Sequence, residues 1–166
     1  PWVTVAATTE VDTTEAVNAT LVGATLQLAN GTYGVGERIK ILVNFDSPVA
    51  VSIFGSPYLH LNLMDVNGTD ILAYLEPVVR SSSLVSNTLE FIYTVQEGDQ
   101  LPAGQPLRYT GSDALARNGA TITDGNSRDA KLFLNALSTD FGLAVYIDTS
   151  KVRIVQVTSP LVDGAY

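Results

Sequence analysis

The sequence contains no cysteine and only one histidine, His60, among its 166 residues. The absence of cysteine excludes disulfide scaffolds, cysteine-ligated zinc, iron–sulfur clusters and thiol nucleophiles, and a single histidine leaves no histidine-rich metal centre. A Ser-His-Asp triad would have to use His60, which lies on the polar side of an alternating segment and has no G-x-S-x-G sequence beside it. We therefore predict that the chain is not an enzyme.

Positive charge is also scarce, since nine Lys and Arg residues stand against seventeen Asp and Glu residues and give a net charge of -8. A negative surface disfavours phosphate backbones and anionic lipids as partners. No apolar run approaches the roughly 20 residues that a helix needs to span a bilayer. We predict neither nucleic-acid binding nor membrane insertion. The content of 46% hydrophobic and 16% charged residues is typical of a chain that folds around a core.

Alternation of apolar and polar residues is the most widespread pattern in the chain. Residues 38–45, 58–63 and 88–95 carry apolar side chains at every second position, which predicts strands with one buried face. The turn at Asn67-Gly68 allows residues 71–75 to return antiparallel as the second half of a hairpin. Shorter strands are predicted at residues 107–110, 120–123, 130–134 and 143–147. Strands spaced by roughly ten residues favour an all-β fold, an antiparallel sandwich.

Three Asn-X-Thr sequons, at Asn18, Asn30 and Asn67, are acceptors for glycosylation in a eukaryotic secretory pathway. The sequons at Asn30 and Asn67 have glycine in the middle position and also indicate turns, where an acceptor is accessible. The alternative is chance occurrence in a sequence rich in Asn and Thr. We predict an extracellular or cell-surface location.

Two similar four-residue segments suggest an internal repeat. They are Asn30-Gly31-Thr32-Tyr33 and, much later in the chain, Asp163-Gly164-Ala165-Tyr166. A β-like segment precedes each copy, and the first copy has an additional Thr- and Ala-rich stretch. We predict one repeat over residues 1–150, with an insertion at about 8–25. Residues 151–166 would be the first strand of a following repeat, or a strand donated to a neighbour.

The order of several motifs resembles that of tandem immunoglobulin-like (cadherin-like) repeats in large extracellular surface and adhesin-type proteins. The motifs, which run collinearly over most of residues 30–166, are Asn30 to Ile39, Val43 to Val49, Asn87 to Asp99, Leu107 to Tyr109, Asn118 to Asp124 and Ile147 to Thr149. The resemblance implies an immunoglobulin-like antiparallel β-sandwich of about seven to nine strands with long loops. It also implies a structural or adhesive role, with calcium at the junctions between modules.

Calcium takes six to eight oxygen ligands, and acidic loops of this chain could supply some of them. The predicted calcium ligands are Glu37, Asp99, Asp124, Asn126, Asp129 and Asp148. The segment Asp124 to Asp129 resembles a shortened calcium loop but lacks the Glu that an EF-hand carries twelve positions after its first Asp. The alternative is that Asp124-Gly125 is a tight turn and Asp129 a solvated side chain.

The sequence predicts two alternative functions. The first is a non-catalytic structural or adhesive module of an extracellular fibre, sheath or surface adhesin, which assembles end to end with neighbouring copies of the same protein. The second is a carbohydrate- or other ligand-binding β-sandwich module, whose partners would be cell-surface glycans.

Overall fold

The computed structural model describes residues 18–52, 54–76, 86–134 and 141–150 of the chain. These residues form nine β-strands and no helix, which confirms the predicted all-β, sandwich-like fold and its strand number. The strands are β1 (Leu21–Leu26), β2 (Gly31–Tyr33), β3 (Arg38–Val51), β4 (Tyr58–Met64), β5 (Asp70–Leu75), β6 (Ser86–Thr94), β7 (Leu115–Ala116), β8 (Ile122–Asp124) and β9 (Val145–Ile147).

Seven of the strands form one antiparallel sheet that curls like half a barrel. Its order is β1-β3-β6-β5-β4-β7, and β8 pairs with the second half of β3. The remaining strands, β2 and β9, form a small parallel ribbon. The predicted hairpin is present, because β4 and β5 pair antiparallel on either side of the turn at residues 65–69.

The core fills the inner face of the curled sheet, and the alternating positions of each strand supply it. In β3 the side chains of Ile39, Ile41 and Val43 are fully buried while the residues between them are more exposed. In β4 the same pattern buries Leu59 and Leu61. The predicted inward faces of these strands are therefore confirmed, because burying every second side chain removes apolar surface from water on one side only.

Two local features differ from the sequence-based expectations. Residues 21–25 fall within the predicted insertion, but they belong to β1, which pairs with β3 at the margin of the main sheet. Its register shifts between Leu21 and Gly23, and this bulge interrupts the alternation that marks the other strands. His60 is half-buried rather than fully exposed, because its ring packs edge-on against that of Tyr58, with ring centroids 5.2 Å apart.

The shorter predicted strands are only partly realised. Residues 107–110 contribute an isolated bridge between Leu61 and Tyr109, and residues 130–134 contribute one between Thr20 and Lys131. Residues 112–117 form a turn and the short strand β7. The rest of the insertion, residues 8–17, and the predicted donated strand, residues 151–166, lie outside the described residues.

The first and last described segments of the chain, here called the entry end and the exit end, lie near different parts of β3. Thr20 contacts Asp46, within the strand, and Asp148 lies beside the turn before Arg38. At the entry end, the backbone N–H of Thr20 donates to the Asp46 carboxylate (2.8 Å) and the N–H of Asp46 donates to the Thr20 carbonyl (3.0 Å). At the exit end, the N–H of Asp148 donates to the Tyr33 carbonyl (2.9 Å), close to the turn that leads into Arg38 and β3. From Arg38 to Asp46 an extended strand spans roughly 25 Å. β3 continues beyond Asp46 to Val51, where it pairs with β8.

Candidate functional site

A cavity of about 420 Å³, here called the exit pocket, lies at the exit end of the domain. One wall is the loop that follows β6, residues 99–105, and the other is residues 146–150, which comprise the end of β9 and the turn after it. The volume falls within the range of about 300 to 1,000 Å³ that small-molecule sites occupy. Two segments far apart in sequence thus form one concave surface.

Backbone hydrogen bonds hold the two walls in place. Within the loop, the N–H of Gln105 donates to the Pro102 carbonyl (3.0 Å), and Gly104 has a left-handed φ of 72° that this turn requires. Just after the loop, the N–H of Leu107 donates to the Val145 carbonyl (2.7 Å), which ties the loop to β9. The shape of the pocket is therefore part of the folded structure.

The inner end of the pocket contains a buried carboxylate. Asp99 is only 3% exposed, and its Oδ2 accepts hydrogen bonds from the Tyr93 hydroxyl (2.5 Å) and from the backbone N–H of Gln96 (2.7 Å). Burial, together with the hydrogen bond and the charge of Asp99, raises the pKa of Tyr93 far above its ordinary value of 10.0. Because this hydrogen-bonded pair closes the turn after β6, the Asp99 side chain has a structural role.

Other polar side chains of the pocket remain available to a ligand. Gln100, Gln105 and Tyr146 are exposed, and their side chains make no hydrogen bond with any other described residue. Asp148 is half-buried, and its Oδ1 accepts from the backbone N–H of Ser150 (3.0 Å) and from the Ser150 hydroxyl. The pocket therefore offers two amides and a phenol.

The six predicted calcium ligands do not form one site. Asp99 and Asp148 both line the exit pocket, while the other four lie elsewhere. In the described part of the chain, no group of three or more His, Cys, Asp or Glu residues is placed to hold a metal ion. A calcium site centred on Asp99 and Asp148 would have to take most of its ligands from carbonyls, hydroxyls and water.

The loop that resembles a calcium site has the tight-turn structure offered as its alternative. The Asp124 carboxylate is buried and accepts from the backbone N–H groups of Asn126 (2.8 Å) and Arg128 (3.0 Å). The guanidinium of Arg128 also lies 2.7 Å from it. These hydrogen bonds, the backbone N–H of Arg128 foremost, lower the pKa of Asp124. Its oxygens are thus already occupied by the protein.

The two remaining predicted carboxylate ligands, Asp129 and Glu37, also have partners within the protein. Asp129 is exposed and forms an ion pair with Arg117, with 3.0 Å between Nη1 and Oδ1. Glu37 accepts a hydrogen bond from the backbone N–H of Gly34 (2.6 Å) and so stabilises the turn before β3.

The three sequons differ in exposure. Asn67 lies at the tip of the β4–β5 hairpin and is exposed, as is Asn30 just before β2. Asn18 is half-buried, and its Nδ2, the atom that carries a glycan, donates to the Asp129 carbonyl (3.0 Å). In the folded domain, Asn30 and Asn67 are the more accessible acceptors.

An aromatic cluster on the outer face of the sheet was not predicted as a site. Tyr58 contacts His60 and Tyr74 in edge-to-face geometry, and the centroids of the two tyrosine rings are 6.0 Å apart. The alternation within β4 and β5 could have revealed that these side chains share the outer face, but only the pairing of Tyr58 with Tyr74 brings them into contact.

In the described residues, no helix has the length and apolar character needed to cross a membrane. No protein-family model, curated protein or solved structure matches the chain.

Proposed function

We propose that this chain is a non-catalytic structural or adhesive module of an extracellular fibre, sheath or surface adhesin, and that it is joined end to end to neighbouring copies. The observation that supports this proposal is that Thr20 and Asp148, near the first and last described residues, lie at different points along β3, beside Asp46 and beside the turn before Arg38. A module with this geometry extends a chain of modules by its own length.

End-to-end joining would give the assembled modules a mechanical function. A β-sandwich module contacts only its neighbours in such an array, so the array behaves as a rod whose length grows with the number of modules. β1 runs from the entry end toward the exit end, since it pairs antiparallel with β3.

Strand addition is the proposed means of joining. β1 lies at one margin of the main sheet, and in the described ranges its outer side is bridged only at Thr20, by Lys131. Unpaired N–H and C=O groups of such a margin can accept a further strand. Residues 151–166, with their β-like sequence, are the proposed donor, either within a following repeat or to another copy.

An extracellular location and calcium belong to the same proposal. The exposed sequon residues Asn30 and Asn67 support secretion, because both acceptors lie on turns of the surface. Asp99 and Asp148 are the proposed calcium ligands, because they share the exit end, where a junction with a following module would form.

The proposal is tested by small-angle X-ray scattering on the full chain and on two full chains fused in tandem. We expect the maximum dimension of the tandem to be nearly twice that of the single chain. A control tandem with a long Gly/Ser linker between the copies should give a broader distribution of dimensions. A direct tandem that is compact, with its two copies side by side, would contradict end-to-end joining.

The second candidate function, a carbohydrate- or other ligand-binding module, has one observation in its favour. The exit pocket is an open concave surface with one exposed aromatic side chain, and the amides of Gln100 and Gln105 make no hydrogen bond with other described residues. Binding of the single chain to a glycan array would favour this second function over a purely structural one.

A further inference from the structure

We propose that the exit pocket binds a neutral saccharide, with the ring of Tyr146 as its apolar platform and the amides of Gln100 and Gln105 as its hydrogen-bonding groups. All three residues line the pocket and are exposed. Saccharide binding at this pocket rests on the second candidate function, a ligand-binding module, and is independent of end-to-end joining.

The backbone of Tyr146 is held firmly while its side chain stays accessible. The residue occupies the middle of β9, where it pairs with Thr32 of β2. Its neighbour Val145 is fully buried and Ile147 packs against the core, so the alternation of the strand leaves Tyr146 on the open side with 39% exposure. A phenol ring presents an apolar face together with a polar tip, and both suit a sugar, which has C–H faces and hydroxyl edges.

The two amides extend from fixed backbone positions. The backbone of Gln100 is bonded to Met64 in both directions, at 3.0 and 2.8 Å, and that of Gln105 is held by the turn at Pro102. An amide side chain both donates and accepts hydrogen bonds, as a sugar hydroxyl does. Since neither amide has a partner in the described part of the chain, binding would not have to break an existing bond.

The charge of the pocket selects a neutral ligand. Its twelve lining residues include the carboxylates of Asp99 and Asp148 and no Lys, Arg or His. Phosphates, sulfates and uronic acids would therefore meet the negative charge of two carboxylates, with no cationic side chain among the described lining residues. A quaternary ammonium ligand is normally held between several aromatic rings, whereas this pocket has only Tyr146.

A second cavity, of about 370 Å³, is lined by residues 50–52, 121, 123–125 and 127 and contains no aromatic side chain. The exposed Tyr74 lies on the outer face of the sheet, in contact with Tyr58. Tyr74 is therefore a matched control, an exposed tyrosine on a strand that is not part of the exit pocket.

The test uses the full 166-residue chain on an array of neutral oligosaccharides printed beside sialylated, sulfated and uronic acid-containing ones. Titration calorimetry with the best neutral oligosaccharide then compares wild type with Tyr146→Ala, Gln105→Ala and Tyr74→Ala. We expect Tyr146→Ala to weaken binding roughly tenfold or more, in line with the loss of an aromatic contact, and Gln105→Ala to weaken it severalfold. Tyr74→Ala should bind like wild type.

Tyr146→Phe separates the ring from the hydroxyl and should keep most of the affinity. The thermal melt of each variant shows that it is folded, and Gln105→Ala, an exposed residue outside any strand, tests the pocket even if Tyr146→Ala does not fold. An absence of neutral oligosaccharide binding, a preference for anionic glycans, or equal affinity of the Tyr146→Ala and wild-type proteins would overturn the proposal. None of these results bears on the scattering test of end-to-end joining, so the two proposals fail separately.

Discussion

The hydroxyl of Tyr93 donates a hydrogen bond of 2.5 Å to the Asp99 carboxylate, and the two residues lie on either side of the turn that ends β6. Asp99 is one of two buried charged residues in the described part of the chain, the other being Asp124. A buried charge is tolerated only where hydrogen bonds replace its water. The hydrogen bond between Tyr93 and Asp99 therefore stabilises the folded state and also positions Asp99, which lines the exit pocket.

Replacing Tyr93 with Phe tests that connection. The substitution leaves the buried Asp99 carboxylate with one donor fewer, so we expect the free energy of unfolding to fall by about 1 to 3 kcal/mol. Urea unfolding at neutral pH measures the change. Tyr74→Phe is the matched control, because the Tyr74 side chain is 46% exposed, and it should change stability by less than about 0.5 kcal/mol.

Alkaline pH should weaken the interaction between Tyr93 and Asp99. The folded state raises the pKa of Tyr93 above the 10.0 of an unperturbed phenol, through burial first and Asp99 second. The stability that Tyr93 contributes is thus fully present below pH 10.0 and is lost as the pH rises above that value. Unfolding free energies measured at increasing alkaline pH should fall more steeply for wild type than for Tyr93→Phe. Parallel curves for the two proteins would contradict this account.

Gly55 should not tolerate any side chain. A Cβ at this position would lie 2.2 Å from the backbone nitrogen of Ala120, and the residue has a left-handed φ of 78°. We expect Gly55→Ala to cost more than the roughly 1 to 2 kcal/mol of the backbone conformation alone, because main-chain atoms of the facing turn must move.

Gly36→Ala is the control for Gly55→Ala. Gly36 has a similar φ of 84°, but a Cβ at this position would meet open space, so only the conformational cost applies. Chemical denaturation of both variants should show a clearly larger loss for Gly55→Ala. Equal losses would mean that the turn at Asn118 and Gly119 adjusts freely.

Acid should weaken the turn after β8. Hydrogen bonds from the Arg128 backbone and side chain lower the pKa of Asp124 below its ordinary 3.8. The contribution of Asp124 is therefore present above pH 3.8 and is lost as the pH falls through the lowered folded-state pKa. Asp124→Asn should be less stable than wild type at neutral pH, and the gap should narrow in acid. Unfolding midpoints between neutral pH and about pH 2 measure both effects, and a constant gap would contradict them.

Calcium removal tests the proposed ligands at the exit end. If Asp99 and Asp148 bind calcium together, millimolar calcium raises the melting temperature relative to a chelator, since a ligand that binds only the folded state stabilises it. Asp148→Asn should abolish that rise, while Asp129→Asn, at the other predicted loop, should leave it intact. Identical melts with chelator and with calcium would remove calcium from the proposal.

Strands with strict alternation could be predicted from the chain because the signal is local. The segments at 38–45 and 58–63 are strands as predicted, and their inward residues are those that the period of two indicates. By contrast, β1 could not be predicted, since its bulge beside Gly23 interrupts the alternation and its partner β3 lies elsewhere in the chain.

The same difference between local patterns and contacts of distant segments applies to the predicted site residues. The turn at Asp124 and Gly125 could be recognised as an alternative to calcium binding, because both interpretations depend on a few consecutive residues. The sequence contained no sign that Asp99 and Asp148 would line one cavity, or that Gln105 and Tyr146 would face it together. Those relationships arise from the pairing of β2 with β9 and from the bond between Leu107 and Val145.

By itself, the sequence determined that the chain is all-β, which side of each regular strand is buried, and which chemistries a protein without cysteine and with one histidine lacks. Only the tertiary structure decided that residues 99–105 and 146–150 line one open pocket. The physical reason is that alternation and turn chemistry act between neighbouring residues, whereas hydrogen bonds between distant strands determine which loops meet.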